Sequence, residues 1–146
     1  EQDLLRAEKI AQACNLFYSQ GRAVSWFIAV VKPLKLTYAD FFKRFAQYLE
    51  TKPLPSCPSL TDIEKAQKDF VKYLYTEKKL LPLLPWAEDI ISLYSAFSRY
   101  ESDGTDSTLS LRYSAHSLMD VSALDGAEFC RLNRTGRYSI TVSKLN

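Results

Sequence analysis

The side chains that could carry nucleophilic, acid–base or metal chemistry are few and widely spaced in this chain. His116 is the only histidine, and the three cysteines, Cys14, Cys57 and Cys130, lie far apart in the sequence. Zinc sites need clustered Cys and His ligands, and a catalytic nucleophile usually belongs to a recognisable motif. The sequence contains neither such a cluster nor such a motif. The residues therefore predict no metal, no cofactor and no catalytic residue in this chain.

His116 and the cysteines each leave an alternative open. We expect His116 to be an ordinary strand or turn residue; contact with a partner is the first alternative, and catalysis with Cys57 or Cys130 is the second. The cysteines are expected to be reduced thiols of a cytoplasmic protein, because an odd, unclustered set is a poor disulfide framework. A Cys14–Cys57 disulfide is the alternative.

Two pairs of carboxylates have structural explanations. Glu88 and Asp89 fall in the first turn of a predicted helix, where the helix dipole favours negative charge. Asp103 and Asp106 lie in a polar segment and are expected to be solvated. Neither pair therefore predicts acid–base catalysis.

A set of arginines near the C-terminal end is the main candidate for binding. Arg131, Arg134 and Arg137 surround a predicted hairpin turn at residues 133–136, and Arg112 lies on a possible neighbouring strand. Guanidinium groups bind carboxylates with two parallel hydrogen bonds, and an open edge strand beside them can accept a guest strand. The alternative is a solvated turn. The predicted peptide or partner contacts are Arg112, Arg131, Arg134, Arg137, Tyr113 and Trp86.

Residues 80–86, rich in Leu and Pro, form a second candidate docking surface, because such a hinge can expose apolar area. Within it, Trp86 is expected to anchor the core at the start of a helix. Lys65, Lys68 and Lys72 on the preceding helix are predicted to form a solvated face.

The composition excludes several classes of function. The 146 residues carry a net charge of only +2, which is far from the strongly basic balance of a duplex DNA-binding protein. Four glycines argue against a Gly-rich phosphate loop, and nine Tyr, eight Phe and two Trp indicate an aromatic core. No apolar run is long enough to predict a membrane span, and the first residues do not read as a signal peptide.

Hydrophobic periodicity predicts an α+β fold whose N-terminal part is a bundle of about five helices. The first helix, 3–20, is expected to end at a left-handed Gly21. Thr37 is expected to cap the third helix, and a capping box of Thr61 and Glu64 to begin the fourth, with Tyr73 on its inner face. The second helix spans 22–31, with a buried strand as the alternative; the third spans 38–50, and the fifth spans 86–100.

The period of the sequence changes after the fifth helix. Residues 101–108 are polar and predict a linker between a helical domain, 1–100, and a sheet subdomain, 109–146. In the second part apolar residues alternate with polar ones, as in Tyr138, Ile140 and Val142. The pattern predicts three or four antiparallel strands, one of them at residues 129–132, packed on the bundle or on another protein.

Three segments resemble a bacterial family of small partner proteins, once labelled DNA-binding. They are Asp40-Phe41-Phe42-Lys43-Arg44-Phe45, Asp62-Ile63 with Asp69-Phe70-Val71-Lys72-Tyr73-Leu74, and Leu81-Pro82-Leu83-Leu84-Pro85-Trp86-Ala87-Glu88. Members of this family are encoded beside iron-dependent barrel enzymes that modify ribosomally made peptides. The methanobactin-biosynthesis partner subunit is the best-understood member.

The resemblance implies a non-catalytic subunit. In the methanobactin-like system a TIM-barrel oxidase holds the irons and oxidises cysteines of a precursor peptide, and the partner subunit forms a heterodimer with it and helps to hold the peptide leader. A nucleic-acid-binding regulatory protein is the alternative, suggested by the older label and the arginines, and an enzyme that uses His116 is a third possibility.

Overall fold

Seven α-helices and two short β-strands make up the computed structural model, which describes residues 1–143, without the side chains of Val121 and Ser122. The predicted α+β fold, an N-terminal helical bundle followed by a small antiparallel sheet, is confirmed. The last three residues of the predicted sheet subdomain lie outside the described part. The elements are α1 (Gln2–Cys14), α2 (Phe27–Val31), α3 (Tyr38–Thr51), α4 (Leu60–Glu77), α5 (Leu84–Asp103), β1 (Ser107–Leu111), α6 (Ala115–Leu118), α7 (Gly126–Leu132) and β2 (Tyr138–Val142).

The bundle is organised around the ring of Phe17. Its centroid lies 5.1 Å from that of Phe41 and 5.0 Å from that of Phe45, both edge to face. Phe70 on α4 lies 5.2 Å from Phe41 and 5.0 Å from Phe45. Such ring pairs add about 0.5–1.5 kcal/mol each beyond the burial of their area. Phe41, Phe42 and Phe45 on α3 are all buried.

The first helix ends differently from the prediction. After α1 the chain continues as a π-helix, Asn15–Gln20. Gly21 has a φ of −76°, so the predicted left-handed glycine is wrong, and Arg22 takes that conformation with a φ of 50°. Gly21 instead gives room to the buried Gln67, whose Nε2 donates to the carbonyls of Phe17 (2.9 Å) and Gly21 (3.2 Å). A Cβ at Gly21 would lie 2.2 Å from that nitrogen.

The apolar segment 22–31 is helical, as favoured, although it is interrupted. A 3₁₀ turn, Ala23–Ser25, precedes α2, and a second one, Lys32–Leu34, follows it. The predicted cap of α3 is confirmed, because the Thr37 hydroxyl accepts a hydrogen bond from the backbone N–H of Asp40 at 3.1 Å.

The capping box of α4 lies two residues earlier than predicted. The Ser59 hydroxyl accepts from the N–H of Asp62 at 3.1 Å, and the Asp62 carboxylate accepts from the N–H of Ser59 at 3.0 Å. Ser59 has the extended backbone that an N-cap needs. The prediction of Thr61 and Glu64 is therefore wrong, and Glu64 instead forms ion pairs with Arg99 on α5 and with Lys68.

The outer face of α4 differs from the prediction at Tyr73, which is exposed. The guanidinium of Arg44 on α3 lies 5.9 Å from the centre of its ring. Arg44 also holds Glu77 in a fork, with Nη1 and Nη2 donating to the two carboxylate oxygens at 2.7 and 2.8 Å. These hydrogen bonds lower the pKa of Glu77 and tie the end of α4 to α3.

The sheet is smaller than predicted. Among residues 1–143 it has two antiparallel strands, β1 and β2, with Leu109 opposite Ile140. Residues 129–132 are not a strand but belong to α7. The cause is local, because the Asp125 side chain caps α7 by accepting from the N–H of Glu128 at 3.2 Å.

The C-terminal segment packs on the bundle, as expected. Its buried residues Leu111, Tyr113 and Phe129 belong to the same apolar cluster as Trp86 of α5. The predicted linker is mostly structured, since α5 runs to Asp103 and β1 begins at Ser107. The division into two domains stays a prediction. No helix in the described part of the chain is long and apolar enough to cross a membrane.

Candidate peptide-binding site

Asp89 joins α5 to the segment that follows β1. Its Oδ2 accepts hydrogen bonds from the backbone N–H groups of Arg112 (2.7 Å) and Tyr113 (2.9 Å). Its Oδ1 lies 3.3 Å from Nη2 of Arg112, and that nitrogen also donates to Glu88 at 2.9 Å. Arg112, a predicted peptide contact, is thus engaged with two carboxylates, while 43% of its side chain stays exposed.

The two carboxylates do not lie where the sequence predicted. The helix begins at Leu84, so Glu88 and Asp89 lie beyond its first turn, and the predicted role in the helix dipole is wrong. Burial raises the pKa of Asp89, although the hydrogen bonds from the two backbone N–H groups and from the guanidinium of Arg112 act to lower it. The loss of water therefore disfavours the charge more than these bonds favour it.

Trp86 is the core anchor that the sequence predicted. Its side chain is fully buried, and its Nε1–H donates to the carbonyl of Ala123 at 3.1 Å. Gly126, the first residue of α7, lies against the indole so closely that a Cβ there would be 2.5 Å from the ring. Trp86 therefore fixes the position of the first residue of α7. No part of the side chain reaches the surface in this structure, and its contact with a peptide stays a prediction.

Tyr113 is a second buried member of the predicted set. Its ring packs edge to face against Phe129 at 5.0 Å, and its hydroxyl lies 3.8 Å from Sγ of Cys130. Burial raises the pKa of Tyr113 to about 12 and also raises the pKa of the Cys130 thiol. Both groups are therefore neutral at pH 7, and both belong to the packed apolar cluster.

The three remaining arginines are of two kinds. Arg131 lies on α7 and forms an ion pair with Glu128, whose pKa its guanidinium lowers. Arg134 and Arg137 lie between α7 and β2, are exposed, and form no ion pair with any described residue. The predicted hairpin around residues 133–136 is wrong, because β2 pairs with β1 and the preceding segment is α7.

A shallow groove of about 510 Å³ lies where β1 ends and β2 begins. The N–H of Gly136 donates to the carbonyl of Arg112 at 2.8 Å. This hydrogen bond joins the loop before β2 to the residue that follows β1. The groove was not predicted, because it needs the pairing of two strands separated by 26 residues. Its lining residues are Ser110, Leu111, Arg112, Gly136, Arg137, Tyr138 and Ser139.

The other residues considered for chemistry lie on different elements of the fold. His116 is exposed on the short helix α6, not on a strand. Cys14, Cys57 and Cys130 are free thiols, so the Cys14–Cys57 disulfide does not form. The described residues contain no group of three or more His, Cys, Asp and Glu side chains placed to hold a metal ion.

Comparison of the chain with protein-family models, with curated proteins and with solved structures finds no significant match.

Proposed function

We propose that this chain is a non-catalytic partner subunit of an iron-dependent TIM-barrel oxidase. In this role it helps to bind the leader of a ribosomally made precursor peptide while the enzyme modifies cysteines of that peptide, as in methanobactin-like copper-chelator biosynthesis. The heterodimer works in the cytoplasm, and the enzyme binds the irons. The observation that carries the proposal is a sheet that has open edges in the described part of the chain, beside two arginines, Arg134 and Arg137, that form no ion pair with a described residue.

The sheet supports binding of an extended peptide. Within the described part of the chain, β1 and β2 pair only with each other, so each strand has one side without a strand partner. The backbone N–H and C=O groups on such a side can form a ladder with an added strand. Leu111 and Val142 face the core, which leaves the opposite face of each strand polar and exposed.

The charges beside the sheet support a leader peptide that carries carboxylates. Arg134 and Arg137 have exposed guanidinium groups, and Arg137 lines the groove. Arg112 lines the same groove and keeps part of its side chain exposed next to Glu88. An incoming carboxylate can form charge-assisted hydrogen bonds with these groups, which are stronger than neutral ones.

The resemblance of sequence supports the choice of partner. The three resembling segments belong to α3, to α4 and to the turn that leads into α5. They contain Phe41, Phe45 and Phe70 of the aromatic core, together with Trp86, on which α7 rests. The similarity thus covers the framework on which the C-terminal sheet and its arginines are mounted.

The first experiment is co-expression of the chain with the barrel enzyme encoded in its genomic neighbourhood, followed by size exclusion and iron assay of each peak. We expect one peak that contains both chains, with iron in proportion to the enzyme. A separate, iron-free peak of 16.7 kDa for this chain would overturn the proposal.

A second experiment tests the peptide site in that complex. Fluorescence anisotropy with a labelled precursor leader is expected to show weaker binding after Arg134→Ala and Arg137→Ala together, and the loss should shrink as salt is raised. Arg6→Ala is the matched control, because Arg6 is an exposed arginine on α1 rather than beside the sheet, and it forms no ion pair within residues 1–143. Equal affinity in all three proteins would place the leader elsewhere.

A further inference from the structure

Trp26 is a buried tryptophan that differs from Trp86 in its hydrogen bonding. It directly precedes α2, is 1% exposed, and packs edge to face against Phe17 with the ring centroids 5.6 Å apart. Nε1 of Trp86 donates to the carbonyl of Ala123, whereas Nε1 of Trp26 has no hydrogen-bond partner in the described part of the chain. A buried N–H without an acceptor costs free energy, because it has lost its hydrogen bond to water and has gained none in return.

Packing alone does not account for an indole at this position, because a phenylalanine would fill much of the same space without an N–H group. Among the described residues, Oε1 of Gln67 is the other buried side-chain atom without a partner. The same amide is nevertheless used, since its Nε2 donates to the carbonyls of Phe17 and Gly21. Trp26 has no second polar group in its side chain, so no contact within residues 1–143 explains its N–H.

Trp26 lines a cavity of about 210 Å³ that lies between α2, α5 and α6. Met119 and Leu124 also line it and are 54% and 51% exposed, so they border its opening to solvent. The buried apolar residues of its wall are Ala29, Ile90, Leu118 and Ala123. The cavity is therefore an apolar space beside a buried tryptophan whose donor is unused.

A wider groove adjoins this cavity. Ser25 and Tyr94 line both spaces, and the groove, of about 490 Å³, continues along the end of α5. Tyr94 and Phe97 pack edge to face on its wall at 5.8 Å, and Tyr18 and Tyr100 also line it. An aromatic end of a ligand that extends out of the cavity would therefore lie against these rings.

We infer that the cavity beside Trp26 binds a small uncharged molecule with an apolar body and a carbonyl oxygen, and that this oxygen accepts the hydrogen bond of Nε1. An apolar cavity of about 150 Å³ is large enough for benzene, so this one has room for a benzene ring with a short side chain. Among the described residues that line it, the only charged one is Asp120, and a carboxylate disfavours an anionic ligand.

The site is separate from the proposed peptide-binding site. Neither the cavity nor the adjoining groove shares a lining residue with the groove beside the sheet. Binding of the small molecule therefore needs neither the barrel enzyme nor a peptide, and it can be measured on the chain alone.

The first test follows the two indole N–H signals of the ¹⁵N-labelled chain by NMR during titration with acetophenone, a benzene ring that carries a methyl ketone. We expect the signal of Trp26 to move downfield, because a new hydrogen bond deshields the proton. The signal of Trp86 is the internal control and should stay nearly unchanged, since that N–H already has an acceptor. Trp26→Phe removes one of the two signals and so assigns them.

The second test separates the hydrogen bond from apolar contact. Isopropylbenzene has nearly the shape of acetophenone but no acceptor, and it is the matched control ligand. Trp26→Phe is expected to weaken acetophenone binding about fivefold or more, because the carbonyl is left without a donor in an apolar cavity. The same variant should change isopropylbenzene binding by less than about twofold. Comparison of the two ligands cancels any change in cavity size caused by the substitution.

A downfield shift confined to Trp26, with a selective loss of acetophenone binding in Trp26→Phe, supports the inference. An unmoved Trp26 signal at the highest soluble concentration of acetophenone overturns it. Equal loss of binding for the two ligands also overturns it, and so does an N–H of Trp26 that keeps a cross-peak to an ordered water molecule throughout the titration. The wild-type signal decides the inference by itself if Trp26→Phe does not fold.

Discussion

The aromatic bundle and the C-terminal segment are held together in different ways. In the bundle Phe17, Phe41, Phe45 and Phe70 contact one another through many similar ring pairs. The C-terminal segment depends on a few specific contacts, made by Trp86 and Asp89 of α5. Removal of one side chain from a core of many similar contacts spreads the loss over several elements, whereas removal of one from a junction of few contacts frees a single segment. We therefore expect the junction to fail as a unit and the bundle to weaken gradually.

The largest expected effect is that of Trp86→Ala. Removal of a fully buried aromatic side chain costs about 3–5 kcal/mol, and here it also frees the Ala123 carbonyl and the support of Gly126. Hydrogen exchange should show lost protection concentrated in α7 and β2. Phe45→Ala is the comparison in the bundle, with a similar cost but losses spread over α3 and α4. The same exchange pattern in both variants would contradict the two-region account.

Asp89→Asn is expected to have the next largest effect, a loss of about 2–4 kcal/mol in unfolding free energy. The carboxylate offers two acceptor oxygens to its donors, whereas an amide offers one. The N–H groups of Arg112 and Tyr113 already share Oδ2 and could keep an amide oxygen there, but the amide NH₂ would then face the guanidinium of Arg112, a donor against a donor. Urea unfolding at pH 7 measures the loss. A change below about 0.5 kcal/mol would show that Asp89 is not the junction.

The pH dependence sharpens the same comparison. The folded pKa of Asp89 is raised from 3.8, so the pH-dependent part of its contribution to stability is full below that pH and is lost as pH rises through the folded pKa, while the hydrogen bonds of the carboxylate still contribute at pH 7. The folded pKa of Glu77 is lowered from 4.5, so its contribution is present above 4.5 and is lost as pH falls through the folded pKa. The stability lost through Asp89→Asn should therefore grow towards acid pH, and that lost through Glu77→Gln should shrink. If the two losses changed in the same direction with pH, one of the two pKa directions would be wrong.

Gly126→Ala should cost about 1–3 kcal/mol, because the new methyl group would overlap the indole of Trp86. Gly104→Ala is the matched control. Gly104 has a φ of 73° but no atom near a built Cβ, so only backbone strain of about 1 kcal/mol is expected. Thermal unfolding of both variants ranks the two effects. A larger loss at Gly104 would show that α7 does not rest tightly on Trp86.

The smallest effect tests the start of α4. Ser59→Ala should cost about 1 kcal/mol, since Ser59 supplies the N-cap. Thr61→Ala, at the position that the sequence favoured, should change the unfolding free energy by less than about 0.5 kcal/mol. The reverse order in urea unfolding would restore the predicted cap.

The comparison also explains what the sequence could predict. In α3 and α5 the apolar side chains recur with the helical period, so the inward positions of Phe41, Phe45, Trp86 and Ile90 follow from spacing alone. Periodicity reports which face of a helix is buried. The buried faces of the aromatic bundle can therefore be predicted almost entirely from periodicity.

The junction could not be predicted in the same way. Asp89 is one buried acid on an otherwise apolar face, and its partners at Arg112 and Tyr113 are more than twenty residues away. A local signal for α7 did exist, the D-x-x-E spacing of Asp125 and Glu128, but the expected hairpin turn at residues 133–136 favoured a strand before it. The sequence could suggest Arg134 and Arg137, but their place beside a sheet edge follows only from the long-range pairing of β1 and β2.

The most direct test of the central claim is reconstitution of the modification reaction. Purified barrel enzyme and precursor peptide are incubated with and without this chain, and the mass of the peptide is followed over time. The account predicts modification of the peptide with the chain present, little or none without it, and none with the chain and peptide alone. Equal modification with and without the chain would contradict the role of a required partner subunit.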